Sequence, residues 1–125
     1  MKKLDREQII ILHEILIEEF GGLNGVRDEN LLDSALKTPF QTFDGYELYP
    51  GLVRKAAGLC YGLIHNHAFQ DGNKRIGTLA IMTFLDLNGE KVIATDEEWV
   101  ELGLQVASGK MTLEQVARWI LKHIS

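Results

Sequence analysis

Apolar residues recur at helical spacing almost from the start of the chain. Ile9, Leu12, Leu16 and Phe20 form one stripe. Asp5 and Gln8 ahead of it make a capping-box variant, and Gly21-Gly22 ends the run, so a first helix is predicted from Asp5 to Phe20. After a loop through Gly25, Asp28 is placed to cap a short helix reaching about Lys37. From Pro39 to Tyr49 the helical period is lost. Asp44-Gly45 favours a tight turn and the flanking Phe40, Phe43, Tyr46 and Tyr49 favour extended chain, so a hairpin or irregular flap is predicted there. Its aromatics serve equally well as anchors to the core or as a binding surface.

Pro50 suits a first helical position, and Leu52, Ala56, Leu59, Cys60, Leu63 and Ile64 continue an apolar face to about Asn66. Ala56, Ala57, Gly58 and Gly62 permit close approach, which marks this as the buried central helix. The next helix begins near Gly72, carries Ile76, Ala80, Thr83, Phe84 and Leu87 as its stripe, and closes at Gly89. Lys91 to Ala94 is too short to assign. Thr95 to Glu98 and Thr112 to Gln115 are two further capping boxes, opening helices toward Ser108 and His123. The pattern predicts an all-α fold of about six helices with a short flap before the central helix, in a single domain spanning residues 1–125.

Composition narrows the classes of function. The chain has 125 residues, 46% hydrophobic and 25% charged, as expected of a globular protein with one core. Its formal net charge of −5 argues against broad electrostatic binding of nucleic acid, so no direct nucleic-acid partner is expected. Cys60, the single cysteine, excludes an internal disulfide and reads as a buried thiol. No apolar run approaches the ~20 residues of a membrane span, and a cytoplasmic location without a membrane partner is expected. Trp99 and Trp119 read as helix-packing residues, His13 as a helix-surface histidine, and His123 as a favourable charge at a helix C-terminus.

The chemistry is concentrated in His67-Ala68-Phe69-Gln70-Asp71-Gly72-Asn73-Lys74-Arg75, just before the apolar pattern resumes. A helix starting at Gly72 directs unpaired N–H groups and the positive end of its dipole at whatever lies before it. Lys74 and Arg75 add full charges at the end where cations are least favourable, which suggests a bound anion that compensates them. His67 exchanges protons near neutral pH, and Asp71 is a hard oxygen ligand suited to magnesium brought in with phosphates. A plainer reading covers the same residues: Asp71 and Asn73 as helix caps, Lys74 and Arg75 as solvated charges, His67 as the polar end of the preceding helix. His65, His67 and Asp71 as a hydrolytic metal site is weak, and no Walker-type or kinase-like Gly-rich loop occurs elsewhere.

In order and spacing, the segment resembles the Fic/Doc superfamily motif His-Pro-Phe-x-(Asp/Glu)-Gly-Asn-Gly-Arg-x-x-Arg, with Lys74 in place of the second Gly and Thr78 in place of the last Arg. Phe20-Gly21-Gly22-Leu23-Asn24-Gly25-Val26-Arg27-Asp28 is similar to the Gly-Gly-Leu-x-Gly segment that follows the first helix in Doc (death-on-curing) proteins, and Asn88 to Lys91 fits the chain after the motif helix. The resemblance implies His67 as general base toward a protein hydroxyl and Asp71 as the ligand of Mg²⁺. It implies Gly72, Asn73, Lys74 and Arg75 as the phosphate cradle of ATP, with Lys74 and Arg75 stabilising transferred charge. Phe69 would be an apolar anchor, and Thr42, Phe43, Asp44, Gly45 and Tyr46 a flap that positions the target by strand addition.

Lys74 and Thr78 depart from the adenylyl-transferring form of the motif. The resemblance therefore implies transfer of the γ-phosphate to a Ser or Thr of a translation factor, for Doc elongation factor Tu, with arrest of translation. Adenylyl transfer on the same fold and a non-catalytic phosphate-binding module are the alternatives. The self-inhibitory segment Ser/Thr-x-x-x-Glu-(Gly/Asn) does not occur, so restraint is expected from an antitoxin whose C-terminal segment folds as a helix in an apolar groove.

Overall fold

The structure is a computed structural model describing residues 1–125. It has six α-helices: α1 (Arg6–Phe20), α2 (Glu29–Lys37), α3 (Leu52–Asn66), α4 (Asn73–Leu87), α5 (Asp96–Ala107) and α6 (Leu113–His123). A 3-10 turn (Thr38–Phe40) leads into a two-stranded antiparallel hairpin, β1 (Thr42–Phe43) and β2 (Tyr46–Glu47), paired Thr42 with Glu47 and Phe43 with Tyr46. The fold is all-α apart from this hairpin. No helix is long and apolar enough to cross a membrane.

Local chemistry explains most boundaries. Asp5, Thr95 and Thr112 each accept from the backbone three residues on, while Gln8, Glu98 and Gln115 return a side-chain bond to the cap, so all three predicted boxes form. Asp28 accepts from the Leu31 N–H at 3.0 Å and starts α2. In the hairpin, Asp44 and Gly45 both take positive φ, 51° and 80°, as a tight turn matched to strand twist requires. The central helix starts later than its proline suggests. Gly51, with φ 86°, is the N-cap of α3, so Pro50 lies outside the helix and the chain bends at Gly51 before Leu52 enters it.

The helices share one core of 22 buried apolar residues, with α3 and α4 at its centre. Their crossing is tight: a Cβ added at Gly77 would lie 2.6 Å from Ile64 Cγ1. Gly62 likewise faces the Ala35 backbone and brings α2 against α3. The buried face of α4 is Ile76, Gly77, Ala80, Ile81, Phe84 and Leu85. Thr83 and Leu87 of the predicted stripe lie at its margin, because α4 packs against α1, α3 and α5 together and the buried arc is rotated toward them. Phe20 also leaves the expected stripe and is exposed, whereas His13 is buried on it.

At the far end, between α5 and α6, Trp119 stacks on His123 and meets Trp99 at a tilt of 53°. The His123 ring reaches the Trp119 carbonyl at 2.7 Å and Glu98 at 2.8 Å. Both partners accept only, so the doubly protonated ring fits both. Accordingly its pKa is raised above 6.5, first by the Trp119 carbonyl and then by Glu98, while the bond from Thr95 and then His123 hold Glu98 below 4.5. The sign of each contribution follows from linkage. That of His123 is complete below 6.5 and lost as pH rises through its raised value, and that of Glu98 is complete above 4.5 and lost as pH falls through its lowered one. The stability gap between wild type and His123→Ala, read from urea midpoints across pH, should be widest between these limits and narrow above neutrality. A gap that is constant with pH would exclude a charged His123 from the staple.

Candidate functional site

The loop from His67 to Gly72 joins the C-terminus of α3 to the N-terminus of α4, and each of its ends is held by specific contacts. His67 is the C-cap of α3 in the left-handed conformation (φ 48°, ψ 49°). Arg27 donates to the carbonyls of His67 at 2.6 Å and Asn66 at 3.1 Å, satisfying the end of α3. The ring of His67 is exposed and has no hydrogen-bond partner within the chain. Ala68 and Phe69 are buried, and the chain from Gly25 to Asp28 runs beside them: Ala68 O accepts from Arg27 and Asp28, and Gln70 donates to Gly25 O.

Asn73 does not cap α4. Its side chain turns back, accepting from Phe69 N–H and donating to Phe69 O, both at 3.1 Å, and so closes the loop on itself. Asp71 does not cap α4 either. One oxygen accepts from Gly72 N–H at 3.0 Å and the other from Leu23 N–H at 3.3 Å. The cap is Gly72, in the left-handed region, which offers no side chain. The first intrahelical bond runs from Ile76 N–H to Gly72 O, so the N–H groups of Asn73, Lys74 and Arg75 remain open. The plainer reading of Asp71 and Asn73 as caps is thereby corrected; the need to hold the loop takes both side chains away from the helix end.

Lys74 and Arg75 stand in that first turn, exposed, and neither is paired with an acid. The Lys74 stem lies along α5 at Gly103, and the Arg75 guanidinium rests on the Phe20 ring, 4.5 Å from its centroid. The start of α3 is also uncapped, yet its first-turn cation Arg54 is bound at 2.9 Å by Glu114. The start of α4 thus combines three open amides, the positive end of the dipole and two unpaired cations, a local anion site on a chain of net charge −5. Such an arrangement suits phosphates. The Asp71 carboxylate beside it retains lone pairs for a cation. No group of three metal-ligating side chains exists, so a divalent ion fits here only through one carboxylate and a ligand's phosphates.

His13 belongs to this site and not to the surface. It is 1% exposed, stacks on Phe69 with centroids 3.9 Å apart, and its Nε2 lies 2.7 Å from Asp71 O. A carbonyl only accepts, so Nε2 carries the proton. The pattern held a signal for this, because His13 is one helical turn beyond Ile9 on the buried stripe. Arg27 and Leu23 had no such signal beyond lying in the Gly-Gly-Leu segment. Gly22 is required by close approach: a Cβ there would meet Asp71 Oδ2 at 2.7 Å.

The flap residues Thr42 to Tyr46 lie in the hairpin and its turn. They divide the aromatics in two. Phe40 packs edge-on against Phe84 and Tyr49 covers Gly58, whereas Phe43 and Tyr46, cross-strand partners, are 74% and 76% exposed.

A family model described as the Fic/DOC family matches residues 3–85, which include α1 to α3, the hairpin, the whole loop and α4 as far as Leu85. The chain belongs to the Fic/Doc family. Within it the chain stands with the Doc branch. It is 45% identical over 91 residues to Toxin Doc of Mycolicibacterium smegmatis, covering 73% of this chain and 68% of that protein. It is 28% identical over 117 residues to Protein kinase doc of Escherichia phage P1, covering 94% and 91%.

His13→Phe would keep the stack on Phe69 and lose the bond to Asp71 O. The variant should lose about 1–3 kcal/mol in urea unfolding, the scale for a polar partner left unmet, with faster hydrogen exchange from Asp71 to Arg75. Unchanged exchange there would show that His13 does not hold the loop.

Proposed function

We propose that this protein is the toxin of a toxin–antitoxin pair and acts as an ATP-dependent protein kinase, transferring the γ-phosphate to a Ser or Thr of elongation factor Tu and so stopping translation. The observation that carries the reading is the uncapped start of α4, with three open amides and two unpaired cations, beside an exposed histidine on a loop held by buried contacts. The names of the two Doc relatives support the toxin and kinase assignments.

In this reading Gly72, Asn73, Lys74 and Arg75 bind the phosphates through their amides and charges, and Asp71 holds the Mg²⁺ that accompanies them. His67 takes the proton of the target hydroxyl, whose oxygen bonds to the γ-phosphorus. The bond to the β-phosphate oxygen breaks and ADP leaves with the electron pair, its charge facing Lys74 and Arg75. The hairpin supplies the edge and the exposed Phe43 and Tyr46 against which a target strand is laid. Restraint comes from an antitoxin helix. The depression of about 700 Å³ between the start of α3 and α6 has an apolar floor of Leu52, Val53, Ala117 and Leu121 with Arg54, Glu90, Glu114 and Arg118 also lining it, a mixed surface on which an amphipathic helix could lie. The cytoplasm holds both the nucleotide and the target.

Adenylyl transfer is the second reading, and Thr78 weighs against it. Thr78 stands where the adenylyl-transferring motif has its last Arg, and its hydroxyl is spent on the carbonyls of Lys74 and Arg75, at 3.2 and 3.1 Å. It brings no charge to the phosphates.

Intact-mass analysis of elongation factor Tu after incubation with ATP and Mg²⁺ separates the readings, since added phosphate and added adenylate differ widely in mass. Phosphate is expected; adenylate would overturn the kinase reading, and an unmodified target would remove elongation factor Tu. His67→Ala should abolish transfer while leaving the fold intact, and a folded variant of near wild-type rate would remove His67 from the mechanism. Lys74→Ala should slow transfer on the order of a hundredfold, the scale for losing one electrostatic stabiliser. Lys74→Gly should abolish phosphorylation, and full activity in that variant would sink the role given to Lys74.

A further inference from the structure

Lys55 is the one charged residue in the core, 2% exposed, and it sits in the first turn of α3, where the helix dipole also disfavours a cation. Burying an ammonium costs several kcal/mol unless it is well paired. Its Nζ donates to Tyr49 O at 2.5 Å and to Glu47 Oε1 at 3.0 Å. Tyr49 is the root of the hairpin and Glu47 is the last residue of β2. Nothing in the packing of the core requires a charge at this point. What the charge does hold is the hairpin.

The hairpin has little else to hold it. Every residue from Gln41 to Leu48 is exposed, each strand has two residues, and so small a hairpin is marginal alone. Leu48 N–H to Gln41 O closes its base, and the bond from Lys55 to Glu47 is the hydrogen bond that joins a strand to another element. It also sets which face is presented. Side chains alternate along β2, so with Glu47 turned to α3, Tyr46 and its partner Phe43 point away, as their exposure shows. A slip of one residue would exchange these faces. Lys55 lies near the start of α3 and His67 caps its end, about 18 Å away along the axis, so the helix acts as a rigid arm between the flap and the histidine.

We propose that Lys55 is a positioning residue for the polypeptide substrate: it fixes the hairpin relative to His67 and keeps the Phe43–Tyr46 face turned outward to receive an extended segment of the target. The inference rests on the kinase reading for its kinetic consequence and on the hairpin alone for its structural one. Lys55 touches neither nucleotide nor reacting atoms. Its loss is therefore a defect in target binding and not in chemistry.

The test uses Lys55→Met, and Glu47→Ala as a variant at a half-exposed site that leaves the core untouched. Hydrogen exchange at the Leu48 amide is read first. It should quicken in both variants, by about tenfold or more in Lys55→Met, while the amides of α4 are unchanged. In phosphorylation of elongation factor Tu, the KM for the protein should rise about tenfold, with kcat and the KM for ATP within about threefold, the split expected when only binding is lost. The double variant should match Lys55→Met, because the two residues act through one contact. Unaltered Leu48 exchange in both variants would overturn the anchor. Quickened exchange with an unchanged KM for the protein, or an equal fall in kcat, would overturn the role in positioning. A wild-type protein that transfers nothing defeats the kinase reading, and the exchange result still decides whether Lys55 holds the flap.

Discussion

The close crossing of α3 and α4 is the constraint on which the rest of the molecule depends. Gly77 lets the α4 backbone rest against the Ile64 side chain and the Cys60 carbonyl of α3, and any larger residue there forces the helices apart. Because they meet so closely, the C-terminus of one and the N-terminus of the other are joined by a loop of a few residues that has no freedom to wander. A helix C-terminus repels anions and a helix N-terminus attracts them. Setting the two ends side by side places a proton-exchanging side chain at the first and an anion site at the second.

Holding that loop takes polar groups at the edge of the core, from the buried His13 through the partly buried Asn73 to the exposed Arg27, and each is matched. His13 meets a carbonyl, Asn73 meets both the N–H and the C=O of Phe69, and Arg27 covers two carbonyls at the end of α3. No buried side-chain polar atom is left without a partner. The cost of burying such groups is offset only when all are satisfied, which ties α1, the Gly25 to Asp28 segment and the loop into one cooperative unit. Cys60 in the same core has no role in this: burial pushes its thiol up to about 12, so it remains protonated and unreactive. The open groups are left where a ligand can reach them, at the start of α4.

The same division appears in the hairpin. Its outer face spends two aromatics on solvent, and its inner face is tied down by a buried lysine. Stability argues against both features, which is the usual mark of a surface kept for a partner.

Much of this architecture was legible in the residues themselves. Capping boxes at Asp5, Thr95 and Thr112, the Asp28 cap, the Asp44-Gly45 turn and the glycine-rich face of α3 are local signals, and local chemistry decides them because the atoms that bond are within a few residues of one another. The sequence likewise determined that His67 to Arg75 would lie between two buried helices, and its resemblance pointed to the family that the comparisons bear out. Only the tertiary structure decided which of those side chains are free. Asp71 and Asn73 read as caps until the Gly22 to Asp28 segment and Phe69 claim them, His13 reads as a surface residue until Asp71 stands over it, and nothing in the pattern marks Lys55 until the hairpin folds across it. Each of these partners is distant along the chain or set by a loop whose path no period encodes, so spacing alone carries no trace of the bond.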